Sequence, residues 1–83
     1  MKLVCTLDRL ASGARGEVKE ILSSGGLRRR LRDIGVVEGT VIEHLHNGPF
    51  GDPRAYLIRG AVISLRSEDS SQILVESCDD NAI

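Results

Sequence analysis

Apolar residues recur at helical spacing in one segment of the chain, residues 23–35. On a helix, Leu27, Leu31 and Ile34 would lie within about 60° of one another, as a narrow apolar stripe that must pack on another element. Gly35 directly follows the stripe, and a glycine at this position can adopt the left-handed conformation of a C-terminal cap. The pattern therefore predicts one amphipathic helix that ends at Gly35.

The other apolar residues follow the pattern of β-strands, because β-branched and aliphatic side chains dominate short segments of strand length. These segments are residues 18–22, 40–45, 55–58, 61–65 and 72–76. Arg59 and Gly60 separate two of them by the two residues of a tight hairpin. Asp8 and Ser67 are predicted to cap two short helical turns.

Strands of this number in a chain of 83 residues are too few and too short for two packed sheets. They favour a mainly β fold, a small and partly closed barrel of about five strands with one α-helix and one or two short helical turns. The chain is expected to form a single domain over residues 1–83, with its core at about residues 3–77 and a frayed polar tail at residues 78–83.

Certain glycines are predicted to serve the fold, because each stands where the backbone turns or enters a strand. They are Gly16, Gly35, Gly39 and Gly60. Gly35 and Gly39 bracket the corner between the helix and the next strand, Gly16 stands at a strand entrance and Gly60 lies in the hairpin. We expect structural roles for all of them.

Composition narrows the classes of function. The chain carries 11 basic and 12 acidic residues, with a formal charge of -1, so only a local patch could attract a polyanion. A chain of this size leaves little room for a walled active site, and no nucleophile beside a base, phosphate-binding loop or close carboxylate pair is present. No apolar run reaches the length of about 20 residues that spans a bilayer. We expect a non-enzymatic binding protein without direct membrane insertion.

The two cysteines, Cys5 and Cys78, stand near opposite ends of the chain without metal-binding spacing, and no secretory leader precedes them. This usage is typical of a cytoplasmic protein in which both thiols stay unpaired. A disulfide between them is the alternative if the two ends of the chain meet.

Three stretches of the sequence together resemble the FeoA family, small proteins that accompany the bacterial ferrous iron transporter FeoB. They are LASGARGEVKEI at residues 10–21, RRLRDIGVVEGTVIE at residues 29–43 and GPFGDPRAYLIRGAVISLRSEDSSQILV at residues 48–75. The most specific parts are the helix ending in Leu-x-x-Ile-Gly, the Gly-Thr that follows it and the Gly-Asp-Pro loop. The resemblance implies an SH3-like barrel, a fold also seen at the C-terminus of metal-dependent repressors.

The same resemblance implies a cytoplasmic adaptor or regulator that binds the cytoplasmic portion of FeoB by protein–protein contact. Its partner would recruit it to the inner face of the membrane, with no nucleic acid and no cofactor involved. Self-association through an exposed barrel edge stays open. The alternative function is a metal-sensing or DNA-associated SH3-like domain related to the repressors.

Arg28, Arg29 and Arg32 would lie on the helix face opposite the apolar stripe. One interpretation is a solvated helix surface, with Arg30 at the edge of the stripe laying its stem over apolar neighbours. The functional interpretation is contact with an acidic patch on the transporter. It is favoured over DNA or anionic lipid headgroups, because neither stacking aromatics nor a recognition helix accompanies the arginines.

His44 and His46 are two residues apart on a predicted strand, so both side chains would leave the same face, a spacing that a transition metal could use. A persuasive metal site needs three or four ligands, and no third ligand is fixed by spacing. Surface or half-buried imidazoles are therefore favoured, with binding of Fe2+ or another divalent metal as the alternative.

Phe50 stands in a loop rich in glycine and proline, where its ring either folds back under the loop, the favoured interpretation, or is held out for a partner. An exposed Phe50 would anchor an interface, since aromatic residues carry much of the binding energy. Asp52 and Pro53 are residue types that favour a turn, in which the aspartate side chain hydrogen-bonds back to the loop and the proline fixes φ. Together with the three outward-facing arginines, Phe50 and Asp52 form the predicted partner-binding set.

Overall fold

The structure, a computed structural model, describes residues 3–78, so residues 79–83 of the predicted tail lie outside the described residues. The strands are β1 (Val4–Thr6), β2 (Arg15–Ile21), β3 (Val41–Asn47), β4 (Arg54–Ile58), β5 (Ala61–Leu65) and β6 (Ile73–Ser77). The helices are α1 (Gly25–Asp33) and α2 (Ser67–Ser70), and two 3-10 turns cover Leu7–Arg9 and Pro49–Gly51. Neither helix of this range is long and apolar enough to cross a membrane.

The strands form one antiparallel sheet in the order β1-β6-β2-β3-β4-β5, which confirms a mainly β fold with one main helix. The described range holds six strands, and the one that was not predicted is β1. β1 has only three residues and pairs with β6, so it is too short to show an alternating pattern. β2 begins at Arg15, three residues before its predicted start.

The core joins the inner face of the sheet to α1. Its fully buried members come from several strands and include Val18, Ile42, Tyr56, Ile58, Ile73 and Val75. Leu31 of α1 is 2% exposed, and Leu27 and Ile34 are partly buried against the same cluster. The apolar stripe of the helix therefore packs on the sheet, as its spacing predicts.

α1 ends in a Schellman motif built on Gly35, which has a φ of +104°. The Gly35 N–H donates to the Arg32 carbonyl at 3.1 Å. The Val36 N–H donates to the Leu31 carbonyl at 2.9 Å, and both of these residues are buried. The motif closes the helix and directs the chain towards β3.

β4 and β5 form the predicted two-residue hairpin, with Ile58 paired to Ala61. The intervening Arg59 and Gly60 have φ values of 50° and 84°. Positive φ at both positions is the geometry of a type I′ turn, whose twist matches that of the strands it joins. Gly60 adopts this conformation without the steric penalty that a Cβ brings.

Gly16 and Gly39 have different structural roles. A Cβ on Gly16 would lie 3.0 Å from Val75 Cγ2, so the absence of a side chain lets β2 and β6 approach closely. Gly39 has a φ of +92° at the corner before β3. Its N–H donates to the Val18 carbonyl at 2.9 Å, and the Val18 N–H donates to the Thr40 carbonyl at 2.8 Å. These bonds tie the corner to β2.

Candidate partner-binding surface

The arginine face, which we define as Arg28, Arg29 and Arg32, is exposed along α1. The Arg28 Nη1 donates to the Ile21 carbonyl at 3.2 Å, so this guanidinium is partly held by β2. Arg29 and Arg32 form no ion pair with any residue of the described range. Both guanidinium groups are therefore available to carboxylates of another molecule.

The charge around this face is mixed. Arg28 and Arg32 line a groove between α1 and β2 that also contains Lys19, Glu20 and Glu38. Asp33 lines a neighbouring groove with the arginines. Acidic groups this close weaken the attraction for a continuous run of phosphates, whereas isolated carboxylates on a protein can still pair with single arginines.

Phe50 is fully exposed, at a relative exposure of 107%. The favoured interpretation from the sequence, that the ring folds back under its loop, is therefore wrong. The residue also has a φ of 59°, a left-handed conformation that costs a non-glycine residue about 1–2 kcal/mol. An apolar ring held in water on a strained backbone is a combination that points to a contact with another molecule.

Hydrogen bonds hold the Phe50 loop, residues 48–53, in place. The Gly48 N–H donates to the Pro53 carbonyl at 2.7 Å. Arg54, at the start of β4, donates from Nε to the Gly51 carbonyl at 3.2 Å and from Nη1 to the Asp8 carbonyl. Arg54 thus braces the loop against the first 3-10 turn. Sequence reasoning missed this residue, because a lone arginine after a proline carries no motif.

Asp52 caps α2, since its Oδ1 accepts a hydrogen bond from the Ser67 N–H at 2.7 Å. The prediction that Ser67 caps this turn is wrong, because Arg66 holds the N-cap position and Ser67 is already helical. The prediction for Asp8 is also wrong. Thr6 holds the N-cap position of that turn and its Oγ1 donates to Asp8 Oδ1 at 2.5 Å.

The arginine face and the Phe50 loop form two surfaces on different parts of the molecule. The arginines line grooves with β2 and with residues 36–38. The Phe50 loop is tied through Asp52 to α2 and through Arg54 to the first 3-10 turn. The two surfaces thus have no lining or hydrogen-bonded residue in common.

His44 is buried, at 2% exposure, and both of its ring nitrogens are engaged inside the protein. Its Nδ1 lies 2.8 Å from the Leu10 carbonyl oxygen, and its Nε2 lies 2.7 Å from Asn47 Oδ1. Because a carbonyl oxygen only accepts hydrogen bonds, Nδ1 carries a proton. The imidazole links β3 to the segment before β2.

The prediction that His44 and His46 leave the same face is wrong. The pairing of β3 with β4 shifts at Leu45, so that His44 is opposite Tyr56 and His46 is opposite Ala55. Neighbouring residues of β4 face opposite sides of the sheet, and the two imidazoles therefore separate. Within residues 3–78 no group of three or more His, Cys, Asp or Glu side chains could hold a metal ion.

Both cysteines are unpaired. Cys5 is opposite Val75 in β6, three residues before Cys78, which corresponds to about 10 Å along the strand. Because a disulfide requires Cα atoms within about 7 Å, the two thiols are too far apart for a bond. Burial raises the pKa of the Cys5 thiol, and the nearby Asp8 carboxylate raises it further.

Tyr56 places a hydroxyl in the core without a hydrogen bond of normal geometry to any described residue. Its ring lies 5.2 Å from the His44 ring, between ring centroids. Burial raises the pKa of the Tyr56 phenol, and the nearby Ser70 and Arg54 side chains oppose this shift. The hydroxyl therefore costs folding free energy that a phenylalanine would not.

Tyr56→Phe is expected to keep the free energy of unfolding at neutral pH or raise it by up to about 1 kcal/mol. The unfolded chain ionises first, so the native protein should lose stability relative to the variant as the pH rises above the ordinary value of 10.0. Urea denaturation of both proteins at about pH 7 and about pH 11 measures the difference. A loss of more than about 1 kcal/mol at neutral pH would show that the hydroxyl makes a stabilising bond.

An antiparallel sheet packed on one main helix, with exposed arginine and phenylalanine surfaces, defines a small mainly β domain. Residues 5–77 match the family model of the FeoA domain. The chain therefore belongs to the FeoA family.

The chain is 33% identical over 76 residues to an Fe(2+) transport protein A/Fe(2+) transporter FeoB fusion protein of Porphyromonas gingivalis, a match that spans 92% of this chain and 9% of that protein. A FeoA-like protein of Clostridium acetobutylicum has a TM-score of 0.87 at 31% identity, covering 100% of this chain and 96% of that one. FeoA of Stenotrophomonas maltophilia, described as a procaryotic SH3 domain protein complexed with zinc, has a TM-score of 0.76 at 24% identity. This match covers 84% of this chain and 87% of that one. The expected SH3-like fold is confirmed.

Proposed function

We propose that this protein is a non-catalytic adaptor that binds the cytoplasmic portion of the ferrous iron transporter FeoB and adjusts its assembly or gating. In this proposal the protein works in the cytoplasm, and its partner recruits it to the inner face of the membrane. Membership of the FeoA family supports the link to ferrous iron transport. Direct contact with the transporter and regulation of it are what the proposal adds.

The observation that carries the proposal is the fusion relative, in which an FeoA part and an FeoB transporter belong to one polypeptide. A covalent link raises the effective concentration of two parts to the millimolar range, which benefits parts that contact each other. A chain that is not linked in this way has to reach its partner through the affinity of its own surface.

The arginine face and the Phe50 loop are the surfaces that we assign to this contact. Aromatic residues and arginines contribute a disproportionate share of binding energy at protein interfaces. Phe50 is held outward by a hydrogen-bonded loop, so little conformational entropy would be lost when it is buried. Asp52 supports the presentation of the loop through its bond to α2.

The proposed role includes no resident metal, no cofactor and no nucleic acid. His44 uses both ring nitrogens inside the protein, so it has no lone pair free for a metal. Glu20 and Glu38 interrupt the positive charge of the arginine face, which weakens its attraction for a run of phosphates. The surroundings of these residues thus support protein–protein contact.

Replacing all three residues of the arginine face by alanine is expected to weaken binding to the cytosolic portion of FeoB about tenfold, since each exposed ion pair contributes about 0.5 kcal/mol. Pull-down and titration calorimetry measure the change. The control replaces Arg15, which is exposed at the start of β2 outside the proposed surfaces, and should bind like the native chain. Equal losses in both variants would indicate an effect of net charge, and absence of binding by the native chain would overturn the proposal.

A further inference from the structure

β5 leaves one edge of the sheet open. It pairs with β4, and no other strand within residues 3–78 pairs with its second side. Its sequence, AVISL, contains none of the charged residues or prolines with which natural edge strands avoid further pairing. Val62 is 63% exposed at this edge. β5 is therefore able to accept an additional strand.

The register of the hairpin determines which backbone groups face the open edge. Ile58 and Ala61 flank the two-residue turn and form a hydrogen-bonded pair, and such pairs alternate with non-bonded ones along antiparallel strands. Ile63 is consequently bonded to β4. The N–H and C=O groups of Val62 and Ser64 point away from β4, towards the open edge.

A groove of about 250 Å³ runs beside this edge, between β5 and α1. Leu27, Ile34 and Ile63 give it an apolar lining, and Arg30 and Asp69 add one charge of each sign. Opposing residues of neighbouring strands point to the same face of a sheet, so a residue opposite Ile63 would direct its side chain into the groove. An added strand would therefore combine backbone pairing with side-chain burial.

The charge of Arg30 distinguishes between possible occupants. Arg30 is exposed and forms no ion pair within the described range. A second copy of this chain paired through β5 would bring both its Arg30 and its Asp69 to the same side of the joined sheet, so its charges would balance and give no net attraction. A different chain that carries a carboxylate at this position would be attracted instead.

We propose that β5 binds an extended acidic segment of the partner protein as an added strand. An apolar side chain of that segment would enter the groove, and an Asp or Glu two residues away on the same face would pair with Arg30. This inference rests on the proposed function, in which the partner is the cytosolic portion of FeoB. It adds a third contact surface, distinct from the arginine face and the Phe50 loop.

Amide hydrogen exchange, measured by NMR on the labelled chain with and without the cytosolic portion of FeoB, tests this inference. The Val62 and Ser64 amides should exchange at least about tenfold more slowly in the complex, because they gain partners there. The Ile63 amide, already bonded to β4, should change less. Binding without slower exchange at Val62 and Ser64 would overturn this inference and leave the proposed function intact, whereas no binding would overturn both.

Two variants separate the backbone contribution from the charge contribution. Ser64→Pro removes an N–H at the open edge but no bond to β4, and Arg30→Glu reverses the charge without altering the strand. Each should weaken binding about tenfold, whereas Arg15→Glu, a control exposed at the start of β2, should not. Native affinity of Arg30→Glu would overturn the inference. Exchange of the Val62 and Ser64 amides that is already slow in the chain alone, and becomes slower as its concentration rises, would also overturn it, because this result indicates pairing with a second copy.

Discussion

Replacement of Leu31 by alanine is expected to lower the free energy of unfolding by about 2–5 kcal/mol, the range observed for buried leucines. Leu31 is 2% exposed in the core, and its carbonyl accepts the Val36 N–H that closes the cap of α1. A domain of 83 residues has a total stability of about 4–12 kcal/mol, so the loss is a large part of it. Urea denaturation followed by circular dichroism measures the shift.

Leu27→Ala is the matched control, because it removes the same atoms from the same helix one turn earlier. Leu27 is only partly buried against the core, so we expect a loss of about 1 kcal/mol. Equal losses for the two variants would contradict the expectation that the buried Leu31 stabilises the fold more than the partly buried Leu27.

The helix and most strands could be predicted because burial of one face imposes a period on the sequence. Leu27, Leu31 and Ile34 show the helical period, and all three contact the core. Gly35 was informative for a second reason, since few other residues adopt the φ of +104° that the end of α1 requires. Predictions from the local sequence are correct at these positions because the tertiary structure requires the same conformation that the local sequence favours.

The features that sequence reasoning missed depend on contacts between distant segments. β1 is defined by its pairing with β6, about 70 residues away in the chain. The shift in register at Leu45, which separates His44 from His46, follows from how β3 pairs with β4. No residue type in "HLHN" signals this shift, and a two-residue spacing alone predicts one shared face.

The candidate site was predictable only in part. The exposure of the arginine face follows from the helical wheel, because the opposite side is apolar. The orientation of Phe50 does not follow from its neighbours in the sequence, because the loop is braced by Arg54 and by the bond from Ser67 to Asp52. Which strands would lie at the edges of the sheet, β1 and β5, was likewise set by its order.

The Phe50 loop and the groove beside β5 are connected through α2. Asp52 of the loop accepts the Ser67 N–H at the start of α2, and Asp69, two residues later, lines the groove. A partner that buries Phe50 and also adds a strand to β5 would therefore contact two surfaces that are joined by one short helix. Variants at Phe50 and at Ser64 should then show coupled effects on binding.

Phe50→Asn is expected to weaken binding to the cytosolic portion of FeoB about 30- to 1000-fold, as for an aromatic hot spot worth about 2–4 kcal/mol. The free energy of unfolding should stay equal or rise by up to about 1 kcal/mol, because asparagine adopts a φ of 59° more readily than phenylalanine. Titration calorimetry and urea denaturation measure the two effects. Val41→Asn, at an apolar residue of β3 that is 47% exposed, should keep the native affinity. Native affinity of Phe50→Asn itself would place the Phe50 loop outside the interface.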